Sequence, residues 1–268
     1  MTGRSVATLA GGLALFAAFA RRAHLLGLLA ALLTALAGPA LAAETQVAVA
    51  ANFTQPAKEI AAAFEKATGH KAVLSFGSSG QFYAQIAHGA PFEVLLSADA
   101  DRPAAAERDG LGVPGTRFTY AVGRLVLFSR TPGLVDSAGA VLKTGRFSKL
   151  AIADPTSAPY GAAAIQTLQK LGVYGALKPR IVQGSNITQV YQFAATGAAE
   201  LGFVALSQVI GRPGGSRWVV PEDLHAPIGQ QAILLSAGRN NPAARAFLAF
   251  LRGPQATAII RRYGYEVG

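Results

Sequence analysis

TQVAVAANFTQPAKEIAAAFEKATGHKAVLSFGS, residues 45–78, contains one complete strand–helix–strand unit. The apolar runs at 45–52 and 71–78 predict two buried strands. The helical pattern between them begins at Thr54 and stops at Gly69, a residue type that commonly ends helices. This order predicts two parallel strands joined by a right-handed crossover, which is the building unit of an α/β sheet.

The rest of the chain repeats the same alternation. FEVLLSA (92–98) predicts a third strand, followed by a helical stretch from Asp99 to Asp109. Further strands are predicted at 124–130, 149–155, 180–184, 201–206 and 230–238, and two helices follow the last of them. Because one small sheet does not accommodate so many units, we expect two α/β lobes. The strands near 119–130 and 230–238 are the candidate crossings between the lobes.

The first 43 residues differ from the remainder in composition. They carry three arginines and no acid, and the arginines are followed by the apolar run AHLLGLLAALLTALAG and then PALAAE. A basic segment, an apolar run and an A-x-A site predict a secretory signal peptide cleaved after Ala42 or Ala43. A retained membrane anchor is the alternative, since the apolar run approaches spanning length. The chain is therefore expected to be exported.

Composition and charge exclude several classes of function. The chain has 268 residues, of which 51% are hydrophobic and 14% charged, and its net charge is +10. Removal of the three leader arginines lowers the net charge to +7. No run of Lys or Arg exceeds two residues and no aromatics interleave with a basic patch, which argues against nucleic-acid binding. The chain contains no cysteine, which excludes disulfides, thiol catalysis and thiolate metal sites.

Four predicted strand-to-helix junctions are rich in small and polar residues. They read AANFT (50–54), GSSG (77–80), APYGAA (158–163) and GSNIT (184–188). A helix N-terminus presents unpaired N–H groups and a partial positive charge, and ligands of open α/β sheets bind at the carboxyl ends of the strands. Four such junctions facing one cleft predict a site for a small tetrahedral oxyanion. Taken singly, each junction is more typical of an ordinary helix cap than of an anion site.

An enzymatic interpretation has little support. Ser79 is a conceivable nucleophile, but a catalytic serine needs a base. His70 and His88 are predicted at the surface, and the sequence contains no G-x-S-x-G elbow. No His, Asp or Glu cluster has the spacing of metal ligands. The sequence therefore favours a binding protein that needs no cofactor.

At these residues the chain resembles the periplasmic molybdate-binding proteins of ABC importers. The segments that carry the resemblance include VAVAANF, SFGSSGQFYAQIAHGAPFEVLLSAD, APYG, LGFVALSQV and FLRGPQATAIIRRYGY, and the similarity covers about 44–268. It implies a type II periplasmic-binding-protein fold, in which two α/β lobes with mixed, mostly parallel sheets enclose the ligand between them. It also implies a discontinuous lobe one, 44–122 plus 230–268, and a lobe two at 123–229.

The resemblance further implies the residues that bind the ligand. Ala51 and Asn52 would lie beside the oxyanion, with Asn52 offering its side chain or N–H, and Ser79 would donate its hydroxyl and N–H. From the other lobe, Tyr160 would contribute and Ile187 would donate its backbone N–H. The oxyanion would be held through its oxygens, with no side chain bound to the metal atom. The implied protein is a periplasmic monomer that passes molybdate, or tungstate, to the membrane permease of an ABC transporter.

One position departs from the family pattern. Some members carry a ligand-binding tyrosine in the strand that reads LGFVAL here, where the matching residue is Ala205. The same members have a small residue in place of Tyr160, so the phenol comes from a different junction in this chain. The rearranged donors leave open a binding protein for another anion such as sulfate or a small organic acid. An exported serine esterase, supported by Ser79 alone, is the alternative from another class.

Overall fold

The computed structural model describes residues 42–267. Within them the chain forms strands β1 Glu44–Ala50, β2 Lys71–Gly77, β3 Val94–Leu96, β4 Phe118–Gly123, β5 Leu125–Ser129, β6 Leu150–Ala153, β7 Ile181–Gly184, β8 Leu201–Ala205, β9 Ser216–Val219 and β10 Ile228–Leu234. The helices are α1 Thr54–Thr68, α2 Ser79–Ala87, α3 Asp101–Arg108, α4 Val141–Thr144, α5 Pro159–Lys170, α6 Tyr174–Leu177, α7 Ile187–Thr196, α8 Leu206–Val209, α9 Pro242–Leu251 and α10 Pro254–Arg262.

The strands form two five-stranded sheets of the same design. The first has the order β2-β1-β3-β10-β4, and the second has the order β7-β6-β8-β5-β9. In each sheet three neighbouring strands are parallel, and one strand pairs antiparallel to the third of them. We call the first sheet and its helices lobe one, and the second sheet and its helices lobe two. The predicted two-lobed α/β fold is confirmed.

The chain passes from the first sheet to the second over fewer residues than the sequence indicated. The single long strand predicted near 119–130 is two strands, β4 in lobe one and β5 in lobe two, separated by Arg124 alone. The return connection is residues 220–227, which precede β10, so the crossing predicted at 230–238 was placed too late. The first crossing is one residue, the return crossing is eight residues with a 3-10 turn at Glu222–Leu224, and the two crossings together form the hinge.

Apolar side chains cover both faces of the lobe-one sheet. In β1, Val47 and Val49 join the cluster packed under α1, α9 and α10, while Ala48 joins the cluster under α2 and α3. All three side chains are fully buried. This explains why the strand reads as a continuous apolar run, since a parallel sheet with helices on both faces has no solvent side. Lobe two is held by one apolar cluster that includes Leu127 and Phe203.

The first helix forms as predicted, but the strand before it ends earlier. Helix α1 ends at Gly69, whose φ of 73° is the left-handed conformation that glycine adopts without strain. Strand β1 ends at Ala50, and Ala51–Phe53 form a turn of 3-10 helix that leads directly into α1. The predicted strand at 45–52 was therefore too long by two residues, and both belong to the candidate site.

The remaining predictions concern the ends of the chain and its short elements. Strand β9 and the one-turn helices α4, α6 and α8 were missed, because elements of four residues carry little periodicity. Every helix within residues 42–267 is too short or too polar to span a bilayer. Residues 1–41 of the predicted signal peptide lie outside the described residues.

Candidate ligand-binding site

The carboxyl ends of parallel strands from both sheets meet at one cavity between the lobes. Its walls come from all four of the predicted junctions, together with Ala98 after β3. They are Ala50, Ala51, Asn52, Gly77, Ser78, Ser79, Ala98, Ala158, Pro159, Tyr160, Asn186 and Ile187. All five residues predicted to bind the ligand therefore lie on the walls of the same cavity.

The N-terminus of α2 presents one unpaired N–H to the cavity. Ser78 is the N-cap, and its hydroxyl oxygen accepts from the N–H of Gln81 at 3.4 Å. The N–H of Gly80 donates to the carbonyl of Ser157 at 2.9 Å. Among the described residues nothing accepts from the N–H of Ser79, the first residue of the helix. This N–H is therefore free for a ligand.

Helix α7 leaves its first N–H free in the same way. The side-chain oxygen of its N-cap, Asn186, accepts from Thr188 N–H at 3.0 Å and from Gln189 N–H at 3.2 Å. This cap satisfies the second and third residues of the helix but not the first. The N–H of Ile187 has no acceptor within its own turn, and Ile187 is 4% exposed. It is available only to a guest in the cavity.

The other two junctions each contribute a comparable donor. At the start of α5, Pro159 has no N–H, and Gly161 N–H donates to the carbonyl of Ala158 at 2.9 Å. The N–H of Tyr160 lies between them and has no acceptor among the described residues. In the turn Ala51–Phe53, the N–H of Asn52 likewise precedes the first residue that can bond within the turn.

Ser79 also offers its hydroxyl hydrogen. Its Oγ accepts from the N–H of Ala98 at 2.9 Å, and the side chain is 1% exposed. A hydroxyl that already accepts from an amide is oriented to donate its own hydrogen elsewhere. Ser79 therefore brings two donors to the cavity, and Ala98 holds one of them in place.

The cavity is small and its walls are neutral. The space between its walls is about 220 Å3 and is partly open to solvent. None of the lining residues carries a charged side chain. Within residues 42–267 no group of three or more His, Asp or Glu is placed to hold a metal ion. The site is built to surround a compact acceptor with hydrogen-bond donors, without a formal counter-ion.

Behind the cavity lies a buried network that the sequence analysis missed. Both amide hydrogens of Asn52 are used within it, since Nδ2 donates to Gln230 Oε1 at 2.9 Å and to Tyr265 Oη at 3.0 Å. The carbonyl of Asn52 accepts from Tyr265 Oη and from Ser207 Oγ, each at 2.8 Å. Ser207 belongs to lobe two, so the network joins the lobes. It leaves the backbone N–H, rather than the side-chain NH2, as the donor that Asn52 offers to the cavity.

Tyr160 takes part in the same network through its hydroxyl. Gln230 Nε2 donates to Tyr160 Oη at 3.3 Å. A Cβ on Gly123 in β4 would lie 2.1 Å from this oxygen, so only glycine fits at that point of the hinge. The phenol hydroxyl therefore faces the hinge, although Tyr160 also lines the cavity. Ala205, which replaces the tyrosine of some relatives, is fully buried and does not line the cavity.

Burial keeps the phenols of this network neutral. It raises the pKa of Tyr265 to about 12, although the hydrogen bond that Tyr265 donates to Ser207 and the one that it accepts from Asn52 oppose the shift. Burial also holds the pKa values of Tyr120 and Tyr160 well above the usual range for tyrosine. All three hydroxyls therefore keep their hydrogens at neutral pH. No negative charge from them opposes an anion in the cavity.

Signals for the network in the sequence are weak. Gln230 and Gln231 interrupt the apolar run IGQQAILL, and a polar residue on the buried face of a strand needs a partner. Gln230 is fully buried. Tyr265 lies 213 residues from Asn52 along the chain, so no local pattern connects them.

Two lobes, a hinge of two chain crossings and a neutral cavity between the lobes define a solute-binding protein. In agreement, residues 45–266 match the family described as bacterial extracellular solute-binding protein. The chain is 60% identical over 235 residues to the molybdate-binding protein ModA of Rhodobacter capsulatus, covering 88% of this chain and 93% of the relative. It is 58% identical over 233 residues to the molybdate-binding protein ModA of Azotobacter vinelandii, covering 86% and 92%.

A solved structure agrees with these relatives. The periplasmic molybdate-binding protein of Azotobacter vinelandii superimposes with a TM-score of 0.81 at 42% identity, covering 84% of this chain and 99% of that one. The chain belongs to the family of periplasmic molybdate-binding proteins.

Proposed function

We propose that this protein captures molybdate in the periplasm and delivers it to the membrane permease of an ABC importer. The observation that carries the proposal is the convergence of four free N–H groups, from Asn52, Ser79, Tyr160 and Ile187, with the Ser79 hydroxyl on one neutral cavity. Ala51 completes the wall beside Asn52. The names of the relatives support molybdate as the guest.

The donors favour an oxyanion that carries no hydrogen. Molybdate and tungstate are dianions that present only acceptors, so each donor of the cavity finds a partner. Hydrogen phosphate would turn a hydroxyl toward a wall of donors, and such a buried mismatch costs roughly 1–3 kcal/mol. Sulfate also carries no hydrogen, so the donors alone do not exclude it. Its exclusion depends on size, because a smaller anion leaves the hydrogen bonds long.

The same arrangement suits transport rather than catalysis. Ser79 Oγ accepts from an amide N–H rather than bonding to a base, and the only histidine buried among the described residues, His225, bonds to the carbonyl of Ala226. Fixed dipoles stabilise a dianion without trapping it in an ion pair. Closure of the lobes excludes water and strengthens each contact, and the closed form is the state that a permease would recognise.

Calorimetric titration of the purified protein tests the proposal. We expect tight binding of molybdate and tungstate, weak binding of sulfate and none of hydrogen phosphate. Equal affinities for molybdate and sulfate would contradict the assignment, and binding of sulfate alone would establish the alternative. Recovery of the mature chain from the periplasm, with a new N-terminus near Ala43, tests export.

A further inference from the structure

A second set of contacts, made by residues outside the buried network, joins the lobes. The N–H of Gly80 donates to the carbonyl of Ser157 at 2.9 Å, and Nη2 of Arg102 donates to the carbonyl of Thr156 at 2.8 Å. Gly80 follows β2, the edge strand of the lobe-one sheet, and the hinge strand β4 is the opposite edge. Four strand spacings, about 19 Å, separate these edges. The Gly80 contact lies at that distance from β4 and therefore separates widely when the lobes open, whereas Arg102 follows the central strand β3.

Hydrogen bonds within lobe two fix the turn that supplies the two acceptor carbonyls. The carboxylate of Asp154 accepts from the N–H of Thr156 at 3.0 Å and from the hydroxyl of Ser157 at 2.9 Å. These hydrogen bonds, led by the one from Thr156 N–H, lower the pKa of Asp154. The turn therefore keeps its shape, and the carbonyls of Thr156 and Ser157 are directed at lobe one without help from it.

Hydrogen bonds within lobe one likewise orient Arg102, independently of its contact with lobe two. Nη1 of Arg102 lies 2.6 Å from Oδ2 of Asp99, and the N–H of Arg102 donates to Oδ1 of the same carboxylate at 3.0 Å. Ser97 Oγ donates to Asp99 at 3.0 Å and fixes that carboxylate in turn. The Asp99 carboxylate therefore fixes the Arg102 guanidinium in the position from which it reaches across the cleft.

Gly80 makes this approach of the two lobes possible. A Cβ at this position would lie 2.9 Å from Cα and 3.1 Å from the carbonyl oxygen of Ser157. Both atoms are backbone, so no side-chain rotation relieves the overlap. Gly80 does not have a positive φ and lies in the first turn of α2, where alanine is a better helix former than glycine. Glycine is therefore required by the closed cleft and not by lobe one.

We propose that Gly80 and Arg102 are positioning residues for anion capture, which clamp the two lobes together and set how long the anion stays in the cavity. This inference rests on the proposed function. It assigns a role to residues that do not line the cavity. The contact from Gly80 sets how closely α2, with the Ser79 donors, approaches the donors of lobe two.

The substitution Gly80→Ala separates this role from a purely structural one. We expect molybdate to dissociate at least tenfold faster and to bind correspondingly more weakly, with little change in the association rate. The melting temperature of the ligand-free protein should stay the same or rise, because alanine favours the helix. A structural defect would instead lower both the affinity for molybdate and the melting temperature of the ligand-free protein. Dissociation is measured as release of radiolabelled molybdate after dilution into excess unlabelled molybdate.

Gly175→Ala is the matched control. Gly175 lies in α6 of lobe two, its φ is not positive, and a Cβ there would meet no atom within 4 Å. The same change of residue should leave both affinity and dissociation rate unaltered.

Arg102→Ala tests the clamp independently, including the case in which Gly80→Ala does not fold. We expect a several-fold faster dissociation from loss of the charged donor to Thr156. Arg108→Ala on the same helix removes an equal charge from an exposed position, paired only with the adjacent Asp109, and should change dissociation by less than twofold.

The outcomes distinguish the two proposals. If the wild-type protein binds molybdate and both Gly80→Ala and Arg102→Ala release it at the wild-type rate, the clamp is refuted and the proposed function stands. If the wild-type protein binds neither molybdate nor tungstate, the proposed function fails, and the role of the clamp in capture fails with it.

Discussion

Replacing Ser79 by alanine should weaken molybdate binding by about tenfold to a hundredfold. The change removes one hydroxyl donor that the cavity directs at the anion, while the backbone N–H of residue 79 remains. A hydrogen bond to a charged group contributes about 1.5–3 kcal/mol, and each 1.4 kcal/mol is a tenfold change in affinity.

The same substitution has a second effect on the free protein. Ser79 Oγ is the acceptor for the N–H of Ala98 at 2.9 Å, so alanine leaves that buried N–H unpaired. Such a group costs about 1–3 kcal/mol, which lowers the melting temperature of a chain of this size by a few degrees. Because this cost falls on the free and the bound protein alike, the loss of affinity measures the donor alone.

Ser129→Ala is the control for this experiment. Ser129 is fully buried in β5, and its Oγ accepts from the N–H of Thr131 at 3.2 Å, but it does not line the cavity. Calorimetric unfolding should show a smaller loss of stability in Ser129→Ala, because the N–H of the exposed Thr131 can bond to water, and calorimetric titration should show weaker binding in Ser79→Ala alone. An affinity of Ser79→Ala within twofold of the wild-type value would refute the assignment of its hydroxyl as a donor.

Three further substitutions probe the network and the core. Tyr160→Phe removes the acceptor of Gln230 Nε2 between the lobes and should weaken molybdate binding by up to about tenfold; unchanged titration isotherms would contradict this. The free energy of unfolding should fall between about pH 10 and 12, because the phenol of Tyr265 ionises near 10 in the unfolded chain and at about 12 in the folded one, so that the folded state holds the extra proton. Tyr265 alone accounts for roughly 3 kcal/mol of this loss. Urea titrations should show that the free energy of unfolding of Tyr265→Phe falls less steeply with pH than that of the wild-type protein. An identical fall in the two proteins would exclude Tyr265 as its source. Phe64→Ala, at a fully buried ring 5.3 Å from that of Phe247, should lower the free energy of unfolding by about 3–5 kcal/mol while the affinity of the folded protein stays unchanged, whereas a loss below 1 kcal/mol would mean that the core repacks.

Local patterns in the sequence determined the elements of the fold and the positions of the donors. The alternation of strand and helix, the stop at Gly69 and the four small-residue junctions each depend on residues that are neighbours in the chain. The carboxyl ends of parallel strands lie at one edge of their sheet, so an anion site at those junctions follows from the order of the elements. The resemblance to the family then supplied the pairing of the two lobes.

The tertiary structure decided which atoms of those residues face the cavity. Asn52 was expected to offer either its side chain or its N–H, and the contacts with Gln230 and Tyr265 engage the side chain. These partners lie 178 and 213 residues away along the chain. The hydroxyl of Tyr160 is directed to the hinge for the same reason. A side chain's orientation depends on the partners that folding brings to it, and periodicity carries no information about contacts at that separation.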